Sequence, residues 1–474
     1  GGGSHAGPAD APSASEPNKA EEERALVAIF SAYTVSATFW LIVATAVGLV
    51  VAVKFIFPDF ATSPLASFGR LRPIHTNGTF FAWASPALVG LALYIAARSS
   101  GTRLYSPRLA WIALILLNFA ALCGTITLDL GYNAGDQEYR EWLWWIRVIF
   151  GAGIALTTWN LIATVATRED EDLYLSNWYT ISATIQAIII TLVALLPWYQ
   201  IGLGQVAVQG YFMHNAVGMW FTPITLGIFY YALPKLLNRP IYSYSLGILA
   251  FWTNLIFYPI IGSHHFLFSP LPWWLQTTAI VFSIAMVVPV AGGSANFLLT
   301  MQGRGDWMYR SPAMFFLVGV LGYFFGSVQG SVEALRSMQQ IWHLTNYTVS
   351  HSHLTMYGFV TFTIWGGIYA LLPRATGREP YNLLVGVHFW LSTVGMMIYV
   401  VALGIGGTEQ GLDWIRGAPF IESVVDQTPY WLWRAVGGGL MFLGHLVFAF
   451  NVWSMIWGPV RAAEPVPAAA GVPA

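Results

Sequence analysis

The sequence predicts an all-α integral membrane bundle of about twelve transmembrane helices, and three observations predict it. Of 474 residues only 9% are charged while 56% are hydrophobic. A water-soluble chain of this size needs more charge to cover its surface, so lipid is the expected solvent. Apolar runs of at least ~18 residues, the length that crosses a ~30 Å hydrocarbon layer, recur from one end to the other. They are long and do not alternate, so they read as helices and not as barrel strands, the two structures that satisfy backbone polar groups inside lipid.

The runs fall at 26–57, 73–97, 109–131, 143–167, 177–198, 207–234, 243–262, 273–301, 312–330, 343–373, 383–406 and 430–458. Only short polar breaks separate them, so one integral domain is expected over 26–458. Residues 1–25 and 459–474 are expected to be disordered tails, and no cleaved signal peptide is expected. Basic residues choose the orientation. With both termini cytoplasmic, the inner loops carry Arg98, Arg103, Arg108, Arg168, Lys235, Arg239, Arg304, Arg310, Arg374, Arg378 and Arg461. The outer loops then carry Asp136, Glu138, Glu141, Glu409, Asp413, Glu422 and Asp426. Arg70 and Arg72 break the rule just before the second run, which calls for an anionic partner on the outer rim: a bound carboxylate group, lipid phosphate or an acidic loop.

Composition also excludes functions. The net charge of −1, with no basic tract, gives no signal for nucleic acid. The one cysteine, Cys123, excludes within this chain a disulfide framework, a cysteine zinc site and a CxxCH haem attachment.

Histidine spacing carries the functional signal. His5 lies in the tail, and the other nine of ten fall within or beside predicted spans, where ionisable groups are costly and default to functional readings. A lone buried histidine is more often a satisfied core residue, so the argument needs groups. His351 and His353 are two apart, which on a helix points them ~200° away from each other, so one helix serves two centres. His264 and His265 are adjacent after Gly262-Ser263, and a distorted helix end can aim both at one ion. With His214, three neutral imidazoles from two places suit copper or zinc with an open position. His75 can complete a bis-histidine haem with a member of the His351/His353 pair. His388 and His445 read as core histidines.

Several stretches carry a family resemblance: Gly69-Arg70-Leu71-Arg72-Pro73-Ile74-His75-Thr76-Asn77, His214-Asn215-Ala216-Val217-Gly218, Arg239-Pro240-Ile241-Tyr242-Ser243-Tyr244, the His264-His265 pair, and His343 eight residues before His351. Over about 26–458 the chain resembles a haem-copper oxygen reductase subunit I, specifically the C family of cbb3-type cytochrome c oxidases. The resemblance implies a terminal respiratory enzyme reducing dioxygen to water with electrons from cytochrome c. It implies His75 and His353 on a low-spin haem b and His351 on a high-spin haem, b-type by family. It implies His214, His264 and His265 on copper. Tyr258, six residues before His264, would be the active-site tyrosine, cross-linked in the family to a copper-ligand histidine; an ordinary packing tyrosine is the bland alternative. Arg70, Arg72, His343 and Arg434 would surround the haem propionates, where calcium can also bind, or would pair with acidic outer loops. Electrons would arrive from partner membrane subunits carrying cytochrome c domains, in a bacterial inner membrane, coupled to proton uptake or pumping.

Two departures stand out. The family's polar proton path on the seventh span keeps Tyr244, but Gly247 and Ala250 stand where a serine and a histidine are expected. Ser245, Thr253 and Asn254 are candidate substitutes. Gln329 replaces a glutamate near the binuclear site, with Glu333 one turn later. These keep open a rival of the same fold, a nitric oxide reductase making nitrous oxide at a haem/non-haem metal site, as does Leu354-Thr355-Met356-Tyr357-Gly358. Such enzymes typically carry a glutamate ligand four residues after the first metal histidine, here Gly218, and need no tyrosine. A non-enzymatic alternative is a transporter whose histidines relay protons. No related halves or broken helices are visible for it, and it gives the His351/His353 spacing no reason.

Overall fold

In the computed structural model, residues 16–135, 137–169, 171–196, 201–303 and 311–460 are described. His5, Asp136, Arg304, Arg310, Arg461 and the tails 1–15 and 461–474 lie outside them. Twelve helices among the described residues are long and apolar enough to cross a membrane: α1 Asn18–Ile56, α2 Phe68–Ser99, α3 Pro107–Asp129, α4 Trp144–Ala166, α5 Leu175–Leu195, α6 Leu203–Leu237, α7 Tyr244–Phe266, α8 Trp273–Met301, α9 Pro312–Glu333, α10 Asn346–Thr376, α11 Asn382–Arg416 and α12 Thr428–Trp457. Each predicted run has its helix.

One boundary differs from expectation. Residues 16–25, expected in the tail, are already helical: the helix that carries the α1 span runs over Glu16–Ile56. The Ala/Glu-rich segment has strong helix propensity, and its carboxylates find partners: Glu23 pairs with Arg98, and Glu22 with Arg103 at 3.1 Å. Elsewhere local chemistry sets the ends. Ser106 and Ser243 accept hydrogen bonds from the backbone N–H groups of Leu109 and Leu246, capping α3 and α7. Asn238 and Gly377 adopt the left-handed conformation that stops α6 and α10.

The helices are not equivalent. In their most apolar stretch α2, α6 and α10 are 100%, 89% and 83% buried, against 28–50% for the other nine. These three therefore form an inner core sheathed by lipid-facing helices, and they carry His75, His214, His351 and His353. All three are also irregular. Wide π-helical turns follow the histidines directly, at Gly78–Ala84, Ala216–Phe221 and Leu354–Thr361. α7 tightens instead, into a 3₁₀ run over Tyr258–Phe266 that bears His264 and His265. Such departures cluster at functional sites because they re-aim side chains that a regular helix would scatter.

Candidate metal centres

One cavity of about 570 Å³ is lined by all six expected ligands: His75, His214, His264, His265, His351 and His353. Tyr258, Arg72, His343 and Arg434 also line it. Arg70 does not belong to this lining; its guanidinium donates to the Asp129 carbonyl at 2.8 Å.

His214, His264 and His265 bring one ligand atom each within 4.8 Å of one another. Their ring centroids are 4.5–5.1 Å apart. Bonds of about 2 Å from a single ion to each imidazole require this kind of convergence. The tight 3₁₀ turn is what brings the adjacent pair to one side. Hydrogen bonding selects the ligating nitrogen. Ser283 Oγ donates to the Ala279 carbonyl at 2.7 Å and so accepts from His264 Nδ1, also at 2.7 Å, which frees Nε2 for metal. His214 Nδ1 is buried with no protein partner, and a metal ion would satisfy it. The trio fits copper or another imidazole-binding ion.

Tyr258 stacks on His214, with centroids 4.4 Å apart and planes inclined by 25°. The histidine of the trio that lies against this tyrosine is thus the one on α6. Gly218 makes room for it: a Cβ there would stand 1.5 Å from Tyr258 Cζ.

His75 and His353 face each other from α2 and α10, with ring centroids 6.3 Å apart and planes within 18°. Two metal–imidazole bonds of about 2 Å, plus the distance from each nitrogen to its ring centre, add to roughly 6 Å. The pair therefore fits bis-histidine ligation of one haem iron. Both rings are anchored through Nδ1 to backbone carbonyls, His75 to Ala44 at 2.8 Å and His353 to Val349 at 2.9 Å. That leaves both Nε2 atoms for metal. Gly48 packs against the His75 ring so closely that a Cβ would lie 2.5 Å from Cε1. His351 also lines the cavity, its Nδ1 3.3 Å from Gln329 Oε1. Accepting from Nδ1, the Gln329 amide oxygen leaves His351 Nε2 for metal, which fits a single-histidine haem site.

The outer rim is ordered by pairs. Arg72 forms an ion pair with Glu138. The Arg434 guanidinium lies over the Phe55 ring at 4.4 Å, beside Tyr399, which packs on His353 at 4.3 Å. Glu141 accepts from Asn77 Nδ2 at 2.9 Å, and burial pushes its carboxyl above the ordinary range. Burial holds His343 below its ordinary range.

The seventh-span departures also find their place. The Tyr244 hydroxyl turns outward and donates to the Leu173 carbonyl at 3.0 Å. A side chain at Gly247 would strike Leu175. Tyr179 donates to the Gly247 carbonyl at 2.9 Å and packs on Tyr230, their centroids 5.1 Å apart. Tyr323 and Asn254 line the cavity beyond. Tyr179, Tyr230, Tyr323 and Ser283 lie outside the sequence motifs, since each matters only through a contact between helices. His388 and His445 are buried and hydrogen-bonded, as core histidines are, although His445 also lines the cavity.

With this geometry in view, the comparisons are informative. Residues 28–440 match the family model of cytochrome c and quinol oxidase polypeptide I. A cytochrome c oxidase subunit 1 homolog of Agrobacterium tumefaciens (strain T37) is 33% identical, covering 90% of this chain and 84% of that protein. The cbb3-type cytochrome c oxidase subunit CcoN1 of Stutzerimonas stutzeri is 31% identical, over 91% and 94%. In fold, the chain resembles a haem-copper terminal oxidase dimer solved by cryo-electron microscopy, with TM-score 0.77 at 17% identity, over 93% of this chain and 86% of that one. The chain belongs to the cytochrome c and quinol oxidase polypeptide I family, as a multi-pass haem-copper oxidase subunit I related to the cbb3-type cytochrome c oxidases.

Proposed function

We propose that this subunit reduces dioxygen to water, taking electrons from cytochrome c-bearing membrane subunits through a low-spin haem b held by His75 and His353. His351 would hold a high-spin haem, b-type by family, and His214, His264 and His265 a copper ion. The metals, when bound, supply the redox chemistry of oxygen reduction. With two imidazoles facing each other, His75 and His353 would hold that haem from both sides and keep gas from it, so that it would serve as an electron relay. His351 would hold its haem from one side, and it lines the same cavity as His214, His264 and His265. Tyr258, stacked on His214, would lend an electron and a proton from its hydroxyl. Tyr323 lines the cavity with it, Tyr179 and Tyr230 pack on each other beside Gly247, and we assign proton uptake to that row. Arg72, His343 and Arg434 face the cavity from the outer rim and would meet the propionates, Arg70 supporting them from outside the lining. Calcium at that rim is a further family expectation. The loop charges support a bacterial inner membrane with the termini and the Arg98, Lys235 and Arg374 loops cytoplasmic.

The observation that carries the oxygen reading over nitric oxide is Gly218 against Tyr258. A glutamate at 218, as typical nitric oxide reductases have four residues after the first metal histidine, cannot coexist with the tyrosine ring where it stands. The test is steady-state consumption of oxygen and of nitric oxide by the purified complex, with metal content measured on the same sample. Rapid oxygen reduction with one copper and no non-haem iron is expected. Nitric oxide turnover with little oxygen activity, accompanied by extra iron, overturns the reading.

A further inference from the structure

A second buried polar system runs through α1, α10, α11 and α12, away from the copper trio and from the Tyr179–Tyr230–Tyr323 row. At one end, near where α10 stops and α11 starts, Asn451 Nδ2 donates to the Tyr369 hydroxyl at 2.9 Å. That hydroxyl in turn donates to His388 Nδ1 at 3.0 Å. At the other end, the Tyr357 hydroxyl donates to His445 Nε2 at 3.0 Å, and His445 Nδ1 donates to Thr45 Oγ1 at 3.0 Å. Tyr357, His445 and Thr45 line the central cavity on its His75 side.

The two ends are joined by groups that packing does not satisfy. Trp365 touches both histidines, with centroids 4.4 Å from His388 and 5.7 Å from His445, and its Nε1 has no partner. Ser392, one helical turn from His388, approaches the Tyr357 hydroxyl, yet its Oγ is unpartnered within hydrogen-bond geometry. His388 Nε2 and Asn451 Oδ1 are likewise buried and unpaired. His388, Ser392 and Asn451 are 0% exposed. Buried polar atoms are almost always paired with protein or ordered water, and polar groups this deep in a membrane protein mark ion or proton pathways. Tyr357 and Tyr369 are twelve residues apart on α10, about 18 Å along a helix axis, so the system spans more than half of a ~30 Å hydrocarbon layer.

We infer that these residues, completed by water between His388 and Ser392, form a proton-conducting file from the α10/α11 face to the cavity wall beside His75. The inference rests on the oxidase reading above for its driving force and for placing that face in the cytoplasm. A proton arriving from Ser392 at Tyr357 Oη displaces the phenolic proton to His445 Nε2. The proton on Nδ1 passes to Thr45, whose own hydroxyl proton, donated at rest to the Leu41 carbonyl at 2.6 Å, turns from it and leaves into the cavity. One proton enters, one leaves, and no group keeps a charge.

The test uses the whole purified complex in sealed vesicles, reading oxygen consumption, haem spectra and protons translocated per electron. Tyr357→Phe and Tyr369→Phe each delete one hydroxyl without changing shape. Both are expected to keep the haem spectra and turnover with an uncoupler within about twofold, while protons translocated per electron fall by about half or more. Unchanged proton translocation in both variants overturns the file. If one variant loses haem, the other decides alone; if both do, His388→Gln is read by the same two outcomes. A failure of the oxidase reading looks different, because the unmodified complex would then show no oxygen turnover.

Discussion

The wall proposed for copper and the wall proposed for the low-spin haem solve the same problem by different means. His75 and His353 are anchored through carbonyls of Ala44 and Val349. Those acceptors belong to the backbone, so they persist whatever side chain is present. On the copper side, His264 is oriented by the hydroxyl of Ser283, and His214 Nδ1 has no hydrogen-bond partner among the described residues. The first wall is preset by the fold. The second depends on side chains and on the ion itself, so it is the wall where mutation or metal loss is felt.

That contrast can be broken or sharpened by three substitutions. The largest effect is expected from His264→Ala, which removes a proposed copper ligand. Oxygen consumption should fall by at least about a hundredfold and copper content toward zero, while the low-spin haem spectrum stays. Loss of the low-spin signal as well would mean that the two walls are not independent. Ser283→Ala keeps every ligand but frees the His264 ring. Removing an outer-shell partner of this kind lowers metal affinity by about 10–100-fold, so copper should be lost at chelator concentrations that the unmodified protein withstands. Equal copper retention would show that Ser283 does not orient the ring. The smallest effect is expected from Val349→Ala, because its role toward His353 is a carbonyl. The low-spin haem spectrum and its midpoint potential should stay within measurement error, and a clear shift in either would show that the side chain itself supports the ring.

How much of this was legible in the sequence follows the same division. The two-residue step between His351 and His353 and the twelve apolar runs are local patterns, and each has its counterpart in the fold. The adjacency of His264 and His265 called for a distorted helix, and a 3₁₀ run is there. Contacts that cross between helices were not legible. Ser283 looks like any serine in an apolar run, and nothing local ties it to His264. Gly218 shows its meaning only when Tyr258, forty residues later, lies against it. Arg70 matched a motif, yet the turn that seats it hands its guanidinium to Asp129. At the amino end, the expected tail includes residues 16–25, but Glu22 and Glu23 pair with Arg103 and Arg98, contacts that no local pattern shows.

The wide turns after His75, His214 and His353 also have a bearing on how such helices can change. A π-helical turn holds one residue more than an α-helical turn, so the two halves of each inner helix run at different angular phases, offset by about 100°. Removing a single residue from Leu354–Thr361 would leave the helix nearly as long and its composition unchanged. It would, however, rotate His351 and His353 relative to Trp365 and Tyr369, so that ligands and lower packing could no longer both face their partners. In these three helices a one-residue deletion therefore acts as a rotation and not as a shortening.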